Sequence, residues 1–292
     1  MLDFRYHALS LVAVFLALAI GIVLGVTIGN SLVSDTEQSL RGNLRTLVEN
    51  ARADATKARA DLSGRDRMLD ELYPKLVATR LTGERVALVS WGPLPDNVQS
   101  GVRDAVSKGG GRLDSISVFD TPLTALKKAM GPGSFAAETA DEASLQALGR
   151  SLAHAIVVGG GGVTTSLRSS FPDEFTGHFR RADAVVFYEA PKPEDGADAE
   201  GVKEREDDRA RTIESAMIDE LTKQTIAVVG VEATNTDPSQ IGHYKSLKLS
   251  TSDSVDVSGG RIGLVFALAG AKGNFGLKPS AGEPLPAEVL AP

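Results

Sequence analysis

The chain has 292 residues, a formal net charge of −7 and no cysteine. Thiolate chemistry and disulfides are excluded, and an exported protein built without disulfides fits the composition. The negative excess is local, with twelve Asp/Glu against five Lys/Arg between Glu189 and Glu220, and no basic surface for nucleic acid stands out elsewhere.

Residues 1–7 precede an apolar run, Ala8–Asn30, that carries no charged side chain. Its 23 positions extend roughly 33 Å as a helix, enough for a bilayer core. Ala13, Ala17, Gly21, Gly25 and Gly29 recur at every fourth position. Small residues in one row let two helix backbones approach closely in lipid, so the row predicts a dimer face. Scattered small residues are the alternative, because Gly is common in membrane helices. Arg5 precedes the run, whereas Asp35 and Glu37 follow it and the nearest basic residue beyond is Arg41. The positive-inside rule makes residues 1–7 a cytoplasmic stub and exports everything after Asn30. The run is longer than a usual signal-peptide core, and no small-x-small site follows it. An uncleaved signal anchor, single-pass in the cell membrane, is the expectation.

From residue 35 to 80 the pattern changes to heptads. Leu44, Val48, Ala51, Ala55, Ala58 and Leu62 alternate as a and d positions, continuing after Arg65 with Leu69, Leu72 and Leu76. Nine Lys/Arg and eight Asp/Glu between Asp35 and Arg80 describe a solvated helix. The spacing predicts a parallel coiled-coil homodimer, weak in its alanine-rich centre and supported by the membrane tether. An amphipathic helix folding back on its own domain is the alternative.

Residues 84–278 alternate strand and helix signals. Apolar runs at Val86–Ser90, Leu113–Phe119, His154–Val158, Ala184–Tyr188 and Thr225–Val231 predict strands. Asp96–Lys108, Leu123–Met130, Ser144–Ser151, Thr164–Arg181, Val202–Thr222 and Ser239–Leu247 predict helices. A Ser/Asp-rich loop and a last helix at Arg261–Leu268 complete an α/β, Rossmann-like domain with a mostly parallel sheet covered on both faces. The proline-rich segment 279–292 predicts a disordered tail.

Ligands of such sheets bind beyond the carboxyl ends of the strands. Trp91, Asp120, Gly160, Gly161, Thr164, Tyr188, Glu189 and Glu232 fall there and form a candidate ligand or partner cleft. Gly159–Gly162 before Thr164 and Thr165 offers an anion nest or a tight turn; the third dinucleotide-fingerprint glycine is missing and no Walker lysine follows. Trp91 reads as a lid residue or, better, as a packed core edge. His7, His154, His178 and His243 share no ligand spacing, and no nucleophile elbow or zinc-helix motif occurs. No catalytic constellation emerges, so an enzyme is not expected.

The N-terminal run from Phe4-Arg5-Tyr6-His7-Ala8-Leu9-Ser10-Leu11 into its Ala/Gly-rich span resembles the actinobacterial MctB family of copper transporters, also described as septal SteB proteins. The ending Asp253-Ser-Val-Asp-Val-Ser-Gly-Gly-Arg-Ile-Gly-Leu-Val-Phe-Ala-Leu carries the same resemblance, with Asn274-Phe275-Gly276 where similar proteins tend to carry a His-Tyr-Gly-like turn. It implies either copper export or a division-site role with a membrane partner, SteA, that tunes a peptidoglycan hydrolase. Copper(I) prefers thiolates and thioethers and copper(II) prefers imidazoles. With no Cys and with Met1, Met68, Met130 and Met217 dispersed, the sequence offers no dedicated copper site; a folded cluster such as His154 with His178 stays open. One span per chain and short apolar strands also argue against a pore. The expectation is therefore a membrane-anchored, extracytoplasmic homodimeric scaffold without a resident cofactor, with copper homeostasis as the alternative.

Overall fold

The computed structural model describes residues 4–120, 141–159, 161–191, 200–224 and 226–289, with side chains at 4–6, 8, 26–42 and 200–207 left aside. It divides into two compact units, Met1–Arg65 and Asp66–Pro292.

One helix, α1, runs Phe4–Val77. In the first unit its described side chains are exposed all round. Among the described residues no helix is long and apolar enough to cross a membrane. The expected span, Ala8–Asn30, extends past Gly25 into positions whose side chains lie outside the described residues, Gly29 of the small-residue row among them. The seam residues Leu44, Val48 and Leu62 are exposed. Past Arg65 the helix belongs to the second unit. Tyr73 and Val77 are buried in its core, and Leu69 and Leu76 pack against it. Of the last seam positions, Leu69 and Leu76 thus serve the chain's own domain, whereas Leu72 is exposed.

The second unit is α/β. Its elements are β1 (Arg85–Trp91), α2 (Asp96–Lys108), β2 (Arg112–Phe119), α3 (Glu142–Val158), α4 (Gly162–Ser170) and β3 (Phe175–Gly177). These are followed by β4 (Ala184–Glu189), α5 (Glu200–Lys223), β5 (Ala227–Val231) and α6 (Ile241–Ser246). β6 (Ser250–Ser252), α7 (Ser258–Leu268) and β7 (Asn274–Phe275) close the order. The strands form one seven-stranded sheet, β3-β2-β1-β4-β5-β6-β7, parallel except for the edge strand β3.

Alternation along the strands feeds two apolar layers. Val86, Leu88, Val186, Tyr188, Val229 and Val231 face one layer with α2, α7 and the end of α1. Ala87, Val89, Val185, Phe187 and Val228 face the other, with α3, α5 and α6. Burial on both faces explains why these strands are continuous Val/Ile/Leu runs. Each fully buried side chain of this size contributes about 1.5–3 kcal/mol.

Three expectations are corrected. His154–Val158 is not a strand; it is the end of α3. Asp141 starts that helix by accepting a hydrogen bond from the Ser144 amide at 2.9 Å, and Leu145, Leu148, Leu152 and Ile156 keep one helical stripe buried to its end. A short apolar run inside a buried helix has no periodicity to separate it from a strand. The helix expected over Thr164–Arg181 stops at Ser170, because Phe171 precedes Pro172 and leaves the α region; β3 follows. The tail set down as disordered from Pro279 carries structure as far as Val289. Gly282 and Glu283 amides donate to the Asn274 carbonyl at 2.8 and 3.1 Å, and Leu285 and Val289 pack on the core. The helix expected at Leu123–Met130 lies outside the described residues.

Candidate metal centre

Beyond the carboxyl ends of β4 and β5, three side chains distant in sequence converge. Glu189 is the last residue of β4, and alternation turns it to the same layer as Phe187. Its amide donates to Tyr244 Oη at 2.6 Å. Tyr244 is fully buried on α6, and its hydroxyl donates weakly to the Val231 carbonyl at 3.4 Å. The ring lies flat on Gly230 of β5, where a Cβ would come within 2.5 Å of it. This contact fixes α6 at the strand ends and delivers the neighbouring His243. From α5, Glu214 reaches the same point: its Oε1 is 3.3 Å from His243 Nε2, and Glu189 Oε2 is 3.5 Å from that nitrogen.

Glu189, Glu214 and His243 each place a ligand atom within 4.8 Å of the others. Their side chains are 8%, 0% and 29% exposed, so the centre is buried on the carboxylate side and open at the imidazole. The His243 pKa is raised, first by its hydrogen bond with Glu214 and also by the Glu189 charge, against burial and Arg211, which pull it down. Burial, reinforced by Glu189, pushes the Tyr244 hydroxyl well above its usual range, so it stays a neutral phenol. Glu214 Oε2 is buried and has no hydrogen-bond partner among the described residues. Two carboxylates and an imidazole can hold a divalent cation or an imidazolium.

The expected cleft residues meet only in part. Trp91 pairs in register with Glu189, yet its ring stacks on Phe119 at 5.2 Å and sits half-buried at the core edge. Tyr188 faces the opposite layer, within the core. Glu232 is fully buried and satisfied: Lys278 Nζ lies at 2.7 Å, and Ser239 Oγ and the Gln240 amide donate to it. Asp120 is exposed after β2. Gly161 starts α4 and Thr164 donates to its carbonyl at 3.1 Å, a helix start rather than part of this cluster; Gly160 lies outside the described residues. His154 and His178 are exposed and do not join a metal-ligating group of three among the described residues. Met217 is buried in the core and Met68 is exposed on α1. The sequence reading missed Glu214 and His243. Its one available signal was Gly230 in the middle of a valine strand, which marks a close approach.

A family model described as "Copper transport outer membrane protein, MctB" matches residues 1–286. The chain belongs to the MctB family. Copper transporter MctB of Mycobacterium tuberculosis and that of Mycobacterium bovis are each 30% identical to it over 113 residues, 39% of this chain. The matched stretch spans 36% of the length of these curated relatives. Against the MctB description, the donor set is informative. An imidazole with two carboxylates suits copper(II) and offers copper(I) none of the sulfur it prefers.

Proposed function

We propose that this MctB-family chain is a membrane-anchored protein of the cell envelope that handles copper through its exported α/β unit. The observation that carries the anchor is the surface of α1. Leu9, Leu11, Val14, Phe15, Leu18, Ile20 and Leu24 are each more than half exposed around the whole helix. An apolar surface of that kind needs lipid or protein around it. The family description and the relatives' names supply copper as the cargo. One helix per chain gives little to line a conduit, so the α/β unit acts as a binding and docking module, paired through α1. The test is loss of the native gene and complementation with the full chain. Expected are retention in the membrane fraction after alkaline washing and a rise of cell-associated copper, severalfold, in the deletion strain. Unchanged copper would reject the copper role.

The septal scaffold is the second reading, favoured by the open face of α1. Among the described residues, a Cβ added at Gly21 or Gly25 meets nothing within 4 Å, which leaves room for another helix. On this reading the paired chain docks a membrane partner such as SteA and tunes a hydrolase without catalysing a reaction itself. Misplaced septa with normal copper in the deletion strain would decide for it.

A further inference from the structure

We propose that Glu189, Glu214 and His243 form an exchangeable site for a divalent first-row cation, copper(II) foremost. The site stands on geometry. The choice of copper rests on the envelope copper role proposed above.

Ligands about 2.0–2.2 Å from a shared ion lie about 3.3–3.5 Å apart at tetrahedral angles and about 2.8–3.1 Å apart at the right angles copper(II) prefers, so a few tenths of an ångström of closure would fit copper(II). The two imidazole–carboxylate separations are 3.3 and 3.5 Å. Two carboxylates with a neutral imidazole carry a charge of about −2, which a divalent ion neutralises. The independent observation is Glu214. Glu232 is equally buried, but a lysine ammonium 2.7 Å away meets its charge. Glu214 has the His243 ring as its hydrogen-bond partner, and its buried Oε2 has none among the described residues. Leaving a buried carboxylate oxygen unmet is costly, and a bound cation removes that cost.

The donor chemistry narrows the cation. An imidazole ligand selects for copper, zinc, nickel or iron over magnesium and calcium, and affinities rise towards copper(II). Three protein ligands leave at least one position for water or an incoming donor, as in sites that exchange what they hold. His243 is partly exposed, giving that position access to solvent. The Glu189 backbone amide donates to Tyr244 Oη, which fixes the end of β4 from which the Glu189 side chain projects.

The experiment uses the full chain in nanodiscs, titrated with copper(II), zinc(II) and manganese(II) salts, with electron paramagnetic resonance of the copper form. One equivalent of copper(II) is expected, with superhyperfine splitting from a single imidazole nitrogen. His243→Ala and Glu214→Gln should each weaken binding by on the order of 10–100-fold or more. Glu214→Gln keeps the side chain's shape, and an unchanged melting temperature without metal separates lost ligation from lost fold. His154→Ala and His178→Ala should bind as the parent does. Binding that survives His243→Ala, or no saturable binding by any of the three ions, overturns the site. Zinc held at the same residues more tightly than copper(II) upholds the site and overturns its assignment to copper.

Discussion

Gly230 interrupts an otherwise valine-rich strand because the Tyr244 ring occupies the space a side chain would fill. Gly230→Ala forces a methyl to within 2.5 Å of two buried ring atoms, and overpacking of this kind costs about 1–3 kcal/mol. Thermal unfolding of the α/β unit should fall by about 2–10 °C. Since the ring also holds the Glu189 amide, copper(II) affinity should fall with it; an unchanged affinity would detach Tyr244 from the centre. At the opposite ends of the strands, Asp183 ties β4 to β1. It accepts from the Arg85 amide at 3.0 Å and from the guanidinium at 3.1 and 3.3 Å, which holds its carboxyl below the usual range. A depressed folded pKa means that the stabilisation is present above the ordinary carboxylate value and is lost as pH falls through the depressed one. The pair is 34% and 29% exposed, so solvent screening limits it to about 1 kcal/mol. Asp183→Asn should lower stability by that amount near neutral pH. In urea melts the gap from the parent should close as the solution is acidified through the depressed value.

At the scale of elements, α1 serves two masters. In its last turns Tyr73 and Val77 complete the layer formed by α2 and α7, whereas Leu44 and Val48 further up are exposed. Tyr73→Ala should cost about 3–5 kcal/mol of the α/β unit's stability. Leu44→Ala should change the same melt by less than about 0.5 kcal/mol, because its side chain is exposed and lies outside that unit. Equal losses would show the helix to be one cooperative block. Legibility in the sequence follows the same physics. β1, β4 and β5 were visible because burial on both faces writes a nearly continuous apolar run, and β2 because Leu113, Ile116, Val118 and Phe119 recur among its polar residues. β3, β6 and β7 are two or three residues long, and Ser250, Thr251 and Asn274 carry no strand period; neighbours, not propensity, make them strands. The Asp253 carboxylate, which accepts the Leu277 amide at 2.8 Å, and Gly276, where a Cβ would strike that carboxylate, explain why the quoted C-terminal motif pairs those residue types. Glu189 was visible as a strand end. Glu214 and His243 were not, because a helix face and a short helix meet only through the sheet order.

At the scale of the whole molecule, we propose that a second copy of the chain covers α1, a reading that two sequence patterns support. Ala13, Ala17, Gly21 and Gly25 fall four apart on one helical row, are exposed, and leave space beside the glycines. Below them Ala51, Ala55 and Ala58 bury little area in a heptad seam, so that seam alone would hold weakly. In series the two reinforce each other. On the anchored reading proposed above, pairing in the bilayer would place the second seam at an effective concentration of the order of millimolar, where a weak zipper closes. Breaking both should therefore do more than the sum of breaking each. Crosslinking in membranes checks this with Gly21, Gly25 and Gly29 changed to Leu, with Ala55 and Leu62 changed to Asp, and with all five together. Each set should reduce the dimer, and the combination should abolish it. A dimer that persists in the combined variant would mean that α1 does not pair along these rows, and that its apolar surface is covered by lipid or by a different protein.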